Sequence, residues 1–269
     1  MRIVDAHVHV RGPVEATDIV RQMDERGIDR TILLSEHERQ SLEVTREKLL
    51  RTKALFDAAP ERLSGLAWVN PAIDGVIDLA TEALTEMGLA GIKIIPDHWF
   101  VYEDRFAPFW TRLNELHASI LFHTGILYGW EDSSRFCRPV YLETMLHYPD
   151  IRFAMAHVSW PWCDECLATF GSTRAEATRA GRRPPAVIDL TPGIPPYLRK
   201  QTVANAIDFA GVEHILFGTD GSLPGKNETQ LHVQADLLRI FDELNLSATD
   251  QQRLLAGTAD ELFPPQGGS

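Results

Sequence analysis

Short apolar runs alternate with longer segments of helical periodicity along the whole chain. Eight of these runs are rich in Val, Ile, Leu and Phe and mostly lack strict polar alternation, as expected of parallel strands covered on both faces. They occupy residues 2–10, 30–35, 63–70, 90–96, 119–124, 151–157, 186–191 and 214–219. Apolar residues at helical spacing fill the intervals, in residues 17–26, 42–59, 73–87, 106–117, 140–148, 161–170, 198–210 and 229–244.

This alternation of strand and helix predicts the α/β class with a parallel sheet. Eight repeats of the unit close a barrel more naturally than they extend an open sheet, so we predict a (β/α)8 TIM barrel. The 269 residues match the usual size of such a barrel. No linker or internal repeat interrupts the pattern. We therefore predict a single domain over residues 1–263 and a flexible C-terminal tail over residues 264–269.

Charge and cysteine content narrow the class of partner. A net charge of −12 argues against nucleic acid and anionic membrane surfaces as partners. No window approaches the roughly 18 apolar residues of a membrane helix, and we expect no signal peptide. Three cysteines, an odd number, fit a reducing compartment, so we expect a cytoplasmic protein. The expected partner is a small-molecule substrate, and the sequence leaves both a monomer and a homo-oligomer open.

Histidines and a carboxylate stand at the ends of four of the apolar runs, where the chemistry of such barrels is located. The first run ends with His7 and His9, which share one face of a strand because side chains alternate. His123, His157 and Asp220 end or follow the fifth, sixth and eighth runs. Neutral imidazole and carboxylate are ligands that suit zinc and similar ions, and one shared ion would offset the cost of burying them. We therefore predict a divalent metal site.

Aromatic and basic residues after the middle strands are candidates for substrate contacts. Trp99, Trp130 and Trp160 follow the fourth, fifth and sixth runs and could form an aromatic wall, or they could pack loops together. Arg138 could bind a substrate carboxylate through two hydrogen bonds, or it could cap a neighbouring loop.

The ordered set of strand-end residues resembles the amidohydrolase superfamily. It is closest to the amidohydrolase-2 branch, which holds aminocarboxymuconate-semialdehyde and resorcylate decarboxylases beside many lactonases. The shared phrases span the whole chain and include Val4-Asp5-Ala6-His7-Val8-His9, Gly91-Ile92-Lys93, Phe122-His123-Thr124-Gly125, Ala156-His157 and Phe217-Gly218-Thr219-Asp220. Two departures stand out. Ser159-Trp160 replaces the Gly-Gly that often follows the sixth-strand histidine, and the chain is shorter than the decarboxylases of the branch.

The resemblance implies a role for each matching residue. His7, His9, His123 and Asp220 would bind one divalent metal ion, with zinc expected first and manganese second. His157 would act as an acid or base, or contact the substrate, without binding the ion.

Lys93 has two possible roles in the superfamily. In two-metal members the matching lysine is carboxylated and bridges the ions, while both later histidines bind the second ion. In one-metal members it is a free ammonium or a hydrogen-bond donor. A plain ion pair at the barrel mouth is the structural alternative. We expect one ion and an uncarboxylated Lys93, because the closer resemblance is to the single-metal branch.

These roles imply a metal-dependent hydrolase that attacks a lactone, amide or similar carbonyl of a small substrate, with aromatic and carboxylated compounds included in the substrate class. Asp220 would accept the proton of water, and His157 or Lys93 would stabilise the oxyanion or protonate the leaving group. One alternative is a non-oxidative decarboxylase or hydratase that uses the same metal. Another is a catalytically inactive, ligand-binding barrel.

Overall fold

The computed structural model describes residues 1–225 and 227–265. Within them, nine parallel strands alternate with helices, so the fold is α/β as predicted. From residue 266 onward, the tail predicted over residues 264–269 lies outside the described residues.

Eight of the strands fall within the predicted apolar runs, and most are shorter by a few residues. Their bounds are β1 Val4–Val10, β2 Arg30–Leu34, β3 Leu63–Trp68, β4 Gly91–Ile94, β5 Ser119–Phe122, β6 Arg152–Met155, β7 Ala186–Asp189, β8 Ile215–Leu216 and β9 Gly221–Leu223. The short β9 was not predicted, because a Gly-Ser-Leu sequence carries no periodic pattern.

Helices occupy the intervals between the strands. Their bounds are α1 Ala16–Arg26, α2 Leu42–Ala58, α3 Val76–Thr85, α4 Ala107–Glu115, α5 Cys163–Arg179, α6 Pro196–Ala210, α7 Asn227–Glu243, α8 Ala248–Gln252 and α9 Thr258–Leu262. The segment predicted over residues 140–148 is a 3-10 helix, Pro139–His147. No helix in the described ranges is both long and apolar enough to cross a membrane.

Local sequence sets the ends of the early helices. Helix α1 ends at Gly27, whose φ of 65° is the left-handed conformation that glycine adopts without a steric penalty. Helix α2 begins after Ser41, whose hydroxyl accepts a hydrogen bond of 3.2 Å from the main-chain N–H of Val44. The local sequence therefore determines where α1 ends and where α2 begins.

The chain divides into two compact units. The first unit contains residues 1–92 and the part from residue 216 onward. Its strands lie in the order β3-β2-β1-β9, and β1 is buried along its whole length. The second unit contains residues 93–215, in which β5, β6 and β7 pair in sequence order. The prediction of a single domain stays a prediction.

The C-terminal helices belong to the core of the first unit. Arg30, at the start of β2, is buried and donates hydrogen bonds to the carbonyl of Phe263 at 2.9 Å and to Asp260 at 3.1 Å. The main-chain N–H of Arg2 donates to Gln252 at 2.9 Å. Residues near the two ends of the chain are therefore joined where β1 and β2 begin.

Candidate active site

Strand β1 carries two buried histidines in the first unit. The ring centroids of His7 and His9 lie 5.2 Å apart. The register between β1 and β2 shifts between Asp5 and Val8, which marks a bulge or irregularity next to His7. Bulges change the direction in which a side chain points, so the strand at this position is not a regular one.

Asp220 brings a carboxylate to these two rings from the far end of the sequence. Its Oδ1 atom lies 3.2 Å from Nε2 of His9 and 3.5 Å from Nε2 of His7. The φ of Asp220 is 55°, in the left-handed region. Strand β9 begins at the next residue, where Gly221 pairs with Val8 of β1. This turn and the pairing that follows it set the carboxylate beside the two imidazoles.

The three side chains fit a divalent ion. One ligand atom from each of His7, His9 and Asp220 lies within 4.8 Å of the other two. Two imidazole nitrogens and a carboxylate oxygen are a ligand set that suits zinc, and manganese also accepts carboxylate. The arrangement is therefore chemically suited to hold a metal ion, and all three residues belong to the first unit.

A buried carboxylate anchors the residue before Asp220. Asp5 accepts hydrogen bonds from the main-chain N–H of Thr219 at 2.9 Å and from its hydroxyl at 2.7 Å. Arg26 forms a buried ion pair with the same carboxylate at 3.4 Å. Burial nevertheless raises the pKa of Asp5 above its usual value. These contacts fix the chain next to Asp220, and sequence reasoning assigned no such role to Asp5.

A second polar group lies in the second unit, at the ends of its strands. Nδ1 of His123 lies 3.2 Å from Nε2 of His157, and Nδ1 of His157 lies 2.9 Å from the hydroxyl of Thr191. The main-chain N–H of Thr191 donates to Asp189 at 2.7 Å. Both nitrogens of the His157 ring are therefore engaged within this unit. The four-residue ligand set that includes His123 stays a prediction.

The segment after β6 holds His157 in an unusual backbone conformation. His157, Val158 and Ser159 have φ values of 61°, 45° and 55°. Three consecutive residues other than glycine in the left-handed region are costly, so their surroundings must fix them. The Ser159 hydroxyl donates to the hydroxyl of Thr124 at 2.8 Å, and Thr124 donates to the carbonyl of Ala156 at 2.7 Å. The turn is thus tied at its start and its end.

Asp189 and Thr191 are polar residues that the sequence reading passed over. Asp189 is fully buried, and burial raises the pKa of its carboxyl to about 6. The charge of His157, the hydrogen bonds from Thr191 and the charge of Lys93 act in the opposite direction. A carboxylate that ends an apolar run was the signal that singled out Asp220, and the same signal exists at the end of β7.

Lys93 is fully buried in β4. Its positive charge acts to lower the pKa of Asp189. It also acts to lower the pKa of the Cys137 thiol, but burial of that thiol has the larger effect and raises it. Lys93 therefore lies close enough to Asp189 for the two side chains to interact electrostatically.

The three tryptophans of the predicted aromatic wall differ in how deeply they are buried. Trp99 is almost fully buried, and its ring packs edge-on against Phe106 with centroids 5.0 Å apart. Trp130 and Trp160 are half-buried. The main-chain carbonyl of Trp160 accepts a hydrogen bond of 2.8 Å from Ile126, so this residue also joins two loops. The packing of Trp99 matches the loop-packing alternative, and a role for these residues in substrate binding stays a prediction.

Arg138 has a carboxylate partner within the protein. Its guanidinium forms an ion pair with Glu165 and lies 5.3 Å from the ring of Trp162. Glu165 also accepts a hydrogen bond of 3.2 Å from the main-chain N–H of Val140. These contacts match the alternative in which Arg138 caps a loop, and its predicted role in binding a substrate carboxylate stays untested.

Trp68 is an aromatic neighbour of the metal-type group that sequence reasoning missed. Its ring centroid lies 5.7 Å from that of His9 and 4.4 Å from that of His37. Burial is the main cause that lowers the pKa of His37 to about 4, and the positive charges of Arg39 and Lys48 add to it. Trp68 therefore gives His9 an apolar neighbour. The position of Trp68 near the end of β3 was the signal that could have identified it.

The comparisons with known proteins agree with the resemblance seen in the sequence. Residues 4–264 match the family model described as amidohydrolase. The chain therefore belongs to the amidohydrolase family, in the amidohydrolase-2 branch. A search among curated proteins gives no match.

Solved structures of decarboxylases and of a probable hydrolase share the fold. The 2,6-dihydroxybenzoate decarboxylase from Rhizobium matches with a TM-score of 0.72 and 15% identity, over 98% of this chain and 99% of that chain. The dihydroxybenzoic acid decarboxylase from Polaromonas sp. JS666, solved with bound manganese and 2-nitroresorcinol, matches with a TM-score of 0.69 and 16% identity, over 97% and 96%. A probable 2-pyrone-4,6-dicarboxylic acid hydrolase from Acinetobacter baumannii matches with a TM-score of 0.67 and 14% identity, over 98% and 99%.

Proposed function

We propose that this chain is a metal-dependent hydrolase that attacks the carbonyl carbon of a small lactone, amide or similar substrate. The observation that carries the proposal is the convergence of His7, His9 and Asp220, whose ligand atoms lie within 4.8 Å of one another. Membership of the amidohydrolase family supports it. A bound divalent ion, zinc first and manganese second, would lower the pKa of water and polarise a carbonyl.

The protein's own residues supply the rest of the proposed site. The resemblance to the amidohydrolase-2 branch supports His123 as a proposed fourth ligand. Asp220 accepts a proton, because its carboxylate is partly exposed while the two histidines beside it are buried. Lys93 remains an uncarboxylated ammonium, which the nearby charge of Asp189 stabilises, and it offsets negative charge that develops on the substrate. His157 holds or moves a proton through its two engaged ring nitrogens.

The surroundings of His9 favour a flat, negatively charged substrate. Trp68 offers an apolar ring beside His9, and aromatic rings stack on such surfaces. The charges of Arg11, Arg39 and Lys48 all act on His37, which lies against the same tryptophan. The charge of Glu38, which forms an ion pair with Lys48 at 3.3 Å, acts on His37 in the opposite direction, so a net positive charge remains near this ring and would attract a carboxylate. We therefore include aromatic or carboxylated carbonyl compounds in the substrate class.

Decarboxylation is the second candidate, in which a carboxylate of the substrate leaves as carbon dioxide. Two of the three structures named above are decarboxylases of hydroxylated benzoic acids. In this alternative, Asp220 or His157 delivers a proton to the ring carbon that loses the carboxylate.

We make two further proposals, one about the architecture of the barrel and one about the cellular location of the protein. We propose that the strands close a (β/α)8 barrel as a single domain, supported by the family match over residues 4–264. We also propose a cytoplasmic location. Its support is that the three cysteines, which all lie within the residues that the structure describes, are free thiols.

A metal-dependent substrate screen separates the candidates. The protein is stripped with a chelator, reloaded with zinc or manganese, and assayed against lactones, amides and aromatic carboxylic acids. Metal-dependent ring opening or amide cleavage supports the hydrolase, whereas metal-dependent release of carbon dioxide supports the decarboxylase. Saturable ligand binding without turnover of any compound would favour the inactive, ligand-binding barrel. Activity that survives complete removal of metal would contradict both catalytic candidates.

A further inference from the structure

Arg11 places a guanidinium on the same face of the sheet as the candidate metal ligands. It directly follows β1, and its main-chain N–H donates to the carbonyl of Leu223 at 2.6 Å, so the pairing with β9 continues to this residue. Because side chains alternate along a strand, Arg11 points to the same face as His9, two residues earlier. The Cα atoms of two such residues lie about 6–7 Å apart. Arg11 therefore lies beside the group that contains His9 and Asp220.

A hydrogen bond between the two strands fixes the direction of this guanidinium. Ser222 of β9 pairs with His9, and residues that pair across parallel strands present their side chains on the same face. Nε of Arg11 donates to the Ser222 hydroxyl at 2.9 Å. This contact places Arg11 on the face of His9 independently of the alternation along β1. It also orients the plane of the guanidinium, because Nε is a rigid part of that plane.

The other donors of Arg11 remain accessible to a ligand. The side chain is exposed, and Ser222 takes only the Nε–H. Within residues 1–225 and 227–265, no carboxylate forms an ion pair with Arg11. The neighbouring cation Lys48, in contrast, is paired with Glu38 at 3.3 Å. Nη1 and Nη2 of Arg11 therefore present the two parallel donors that match a carboxylate, and the charge is permanent because arginine does not deprotonate in proteins.

We propose that Arg11 binds a carboxylate of the substrate through Nη1 and Nη2, and that Ser222 is the residue that positions it. This carboxylate stays unchanged while the carbonyl beside His9 and Asp220 reacts. The substrate is then a small carbonyl compound with a carboxylate on the side remote from the reacting carbonyl. The inference rests on the proposed function only for the identity of the bound molecule, because binding of a carboxylate by Arg11 requires no metal.

The neighbours of His9 add a flat ring to this description of the substrate. The Trp68 ring lies 5.7 Å from that of His9, measured between centroids, and provides an apolar surface on which a flat molecule stacks. The charge of Arg11 also acts on His37, whose ring lies 4.4 Å from that of Trp68. A ligand that satisfies the guanidinium and the tryptophan together carries a carboxylate on a flat ring.

Benzoate, a flat ring with one carboxylate, tests the assignment with the metal-free protein. Benzamide is the matched neutral probe, and calorimetric titration measures the Kd of each. Arg11→Met keeps the apolar stem of the side chain and removes its charge and its donors. It should weaken benzoate binding about 10–100-fold, because hydrogen bonds between charged groups are lost, and it should leave benzamide binding unchanged.

Three further variants separate contact from charge. Arg11→Lys keeps the charge without the two parallel donors, and Ser222→Ala keeps Arg11 without its orienting partner, so both should weaken benzoate binding by less than Arg11→Met. Arg39→Met removes another positive charge that acts on His37 and should also have a smaller effect than Arg11→Met. Arg21→Met changes an exposed arginine of α1 and should bind benzoate as wild type does. Melting temperatures confirm that each variant is folded.

Several results would overturn the inference. Wild type that does not bind benzoate, or Arg11→Met that weakens benzamide binding equally, would show that Arg11 does not recognise a carboxylate. Equal losses for Arg11→Met and Arg39→Met would show that only the combined charge of the cations matters.

Kinetics on a carboxylated substrate from the metal-dependent screen provide a second readout. Arg11→Met should raise KM with little change in kcat, because the contact is made equally before and during the reaction. A fall in kcat at constant KM would contradict a role in substrate binding. Benzoate binding that depends on Arg11, in a protein that cleaves no carbonyl compound with zinc or manganese, would contradict the proposed function and leave the carboxylate site supported.

Discussion

The polar residues at the strand ends differ in how their burial is compensated. Asp5 and Asp189 are fully buried carboxylates, and each accepts hydrogen bonds from a threonine. Asp220 is partly exposed and has two imidazoles as its neighbours. An ionised group without such partners in the protein interior would cost several kcal/mol. The first two carboxylates therefore have hydrogen-bond donors of the protein as partners, whereas Asp220 retains access to solvent.

At the residue scale, we predict that the double variant His7→Ala/His9→Ala loses its bound metal. Two of the three converging ligands disappear, and one carboxylate alone holds a transition metal weakly. Metal content of the purified protein, measured by atomic emission, should fall to background. His147→Ala removes an exposed histidine and should leave the metal content unchanged. An unchanged metal content in the double variant would exclude these histidines as ligands.

We also predict that Asp220→Asn remains folded, keeps part of its metal and loses turnover. The amide oxygen can still act as a ligand, but it cannot accept a proton. Loss of a general base lowers the rate about 10²–10⁴-fold. The matched control Asp208→Asn changes an exposed aspartate on α6 and should keep full activity. Near-normal turnover of Asp220→Asn on any identified substrate would rule out Asp220 as the base.

The sequence singled out the histidines and Asp220 as candidates because those residue types are unusual at the ends of apolar strands. It did not reveal Asp189, Thr191 or Trp68, although they also stand at or just after strand ends. Threonine and tryptophan are common in strands, so their type gives no signal without the contacts they make. The hydrogen-bond partners that give Asp5 and Asp189 a role become visible only in three dimensions.

At the scale of elements, the turn after β6 depends on a close approach by the loop after β5. The main-chain N–H of Ile126 donates to the carbonyl of Trp160 at 2.8 Å. A Cβ on Gly125 would lie 2.5 Å from that same carbonyl oxygen, and the φ of Gly125 is 104°. The absence of a side chain at Gly125 is therefore what allows the two loops to meet.

We predict that Gly125→Ala destabilises the protein more than Gly129→Ala. Both glycines have a positive φ, but nothing lies within 4 Å of a Cβ on Gly129. Gly129→Ala should cost about 1–2 kcal/mol from backbone strain alone. Gly125→Ala should cost about 1–3 kcal/mol more, because the new atom collides with backbone. Urea unfolding of the two variants measures the difference, and equal losses would show that the approach of the loops is not tight.

The periodicity of apolar residues predicted most strands and helices correctly, and the exceptions to this agreement have physical reasons. Residues 140–148 carry an apolar pattern that fits a helix, but they form a 3-10 helix instead of an α-helix. Strand β9 exists because it pairs with β1, a partner that lies more than 200 residues away in the sequence. No helix was predicted for residues 248–262, since the packing of this segment depends on Arg30 and other distant residues. Long-range pairing was the information that the sequence lacked.

At the scale of the whole molecule, we predict that Asp189 makes stability depend on pH. Its carboxyl has a folded pKa of about 6, raised from 3.8. A raised folded pKa means that its contribution to stability is complete below the unfolded value and is lost as the pH rises through about 6. The difference in unfolding free energy, wild type minus Asp189→Asn, should therefore fall with rising pH, by on the order of 1–3 kcal/mol.

Chemical denaturation of the metal-free proteins between about pH 4 and pH 7 measures this difference. The control Asp208→Asn should differ from wild type by an amount that does not change across the same range, because its side chain is exposed. A difference between wild type and Asp189→Asn that grows with rising pH would show that the Asp189 carboxylate is stabilised, not penalised, by its surroundings.

The pairing of β1 with β9 has a consequence for how the protein is made. Asp5 and Thr219 are 214 residues apart, so a ribosome that adds about 5–20 residues per second releases them about 10–40 s apart. During that interval the nascent chain carries Val4–Val10, a strand that is buried along its length in the finished protein, without its final neighbour. Exposed apolar strands of this kind aggregate readily. Biosynthesis, more than equilibrium stability, should therefore limit the yield of this protein, and chaperones that shield nascent N-terminal segments should increase it.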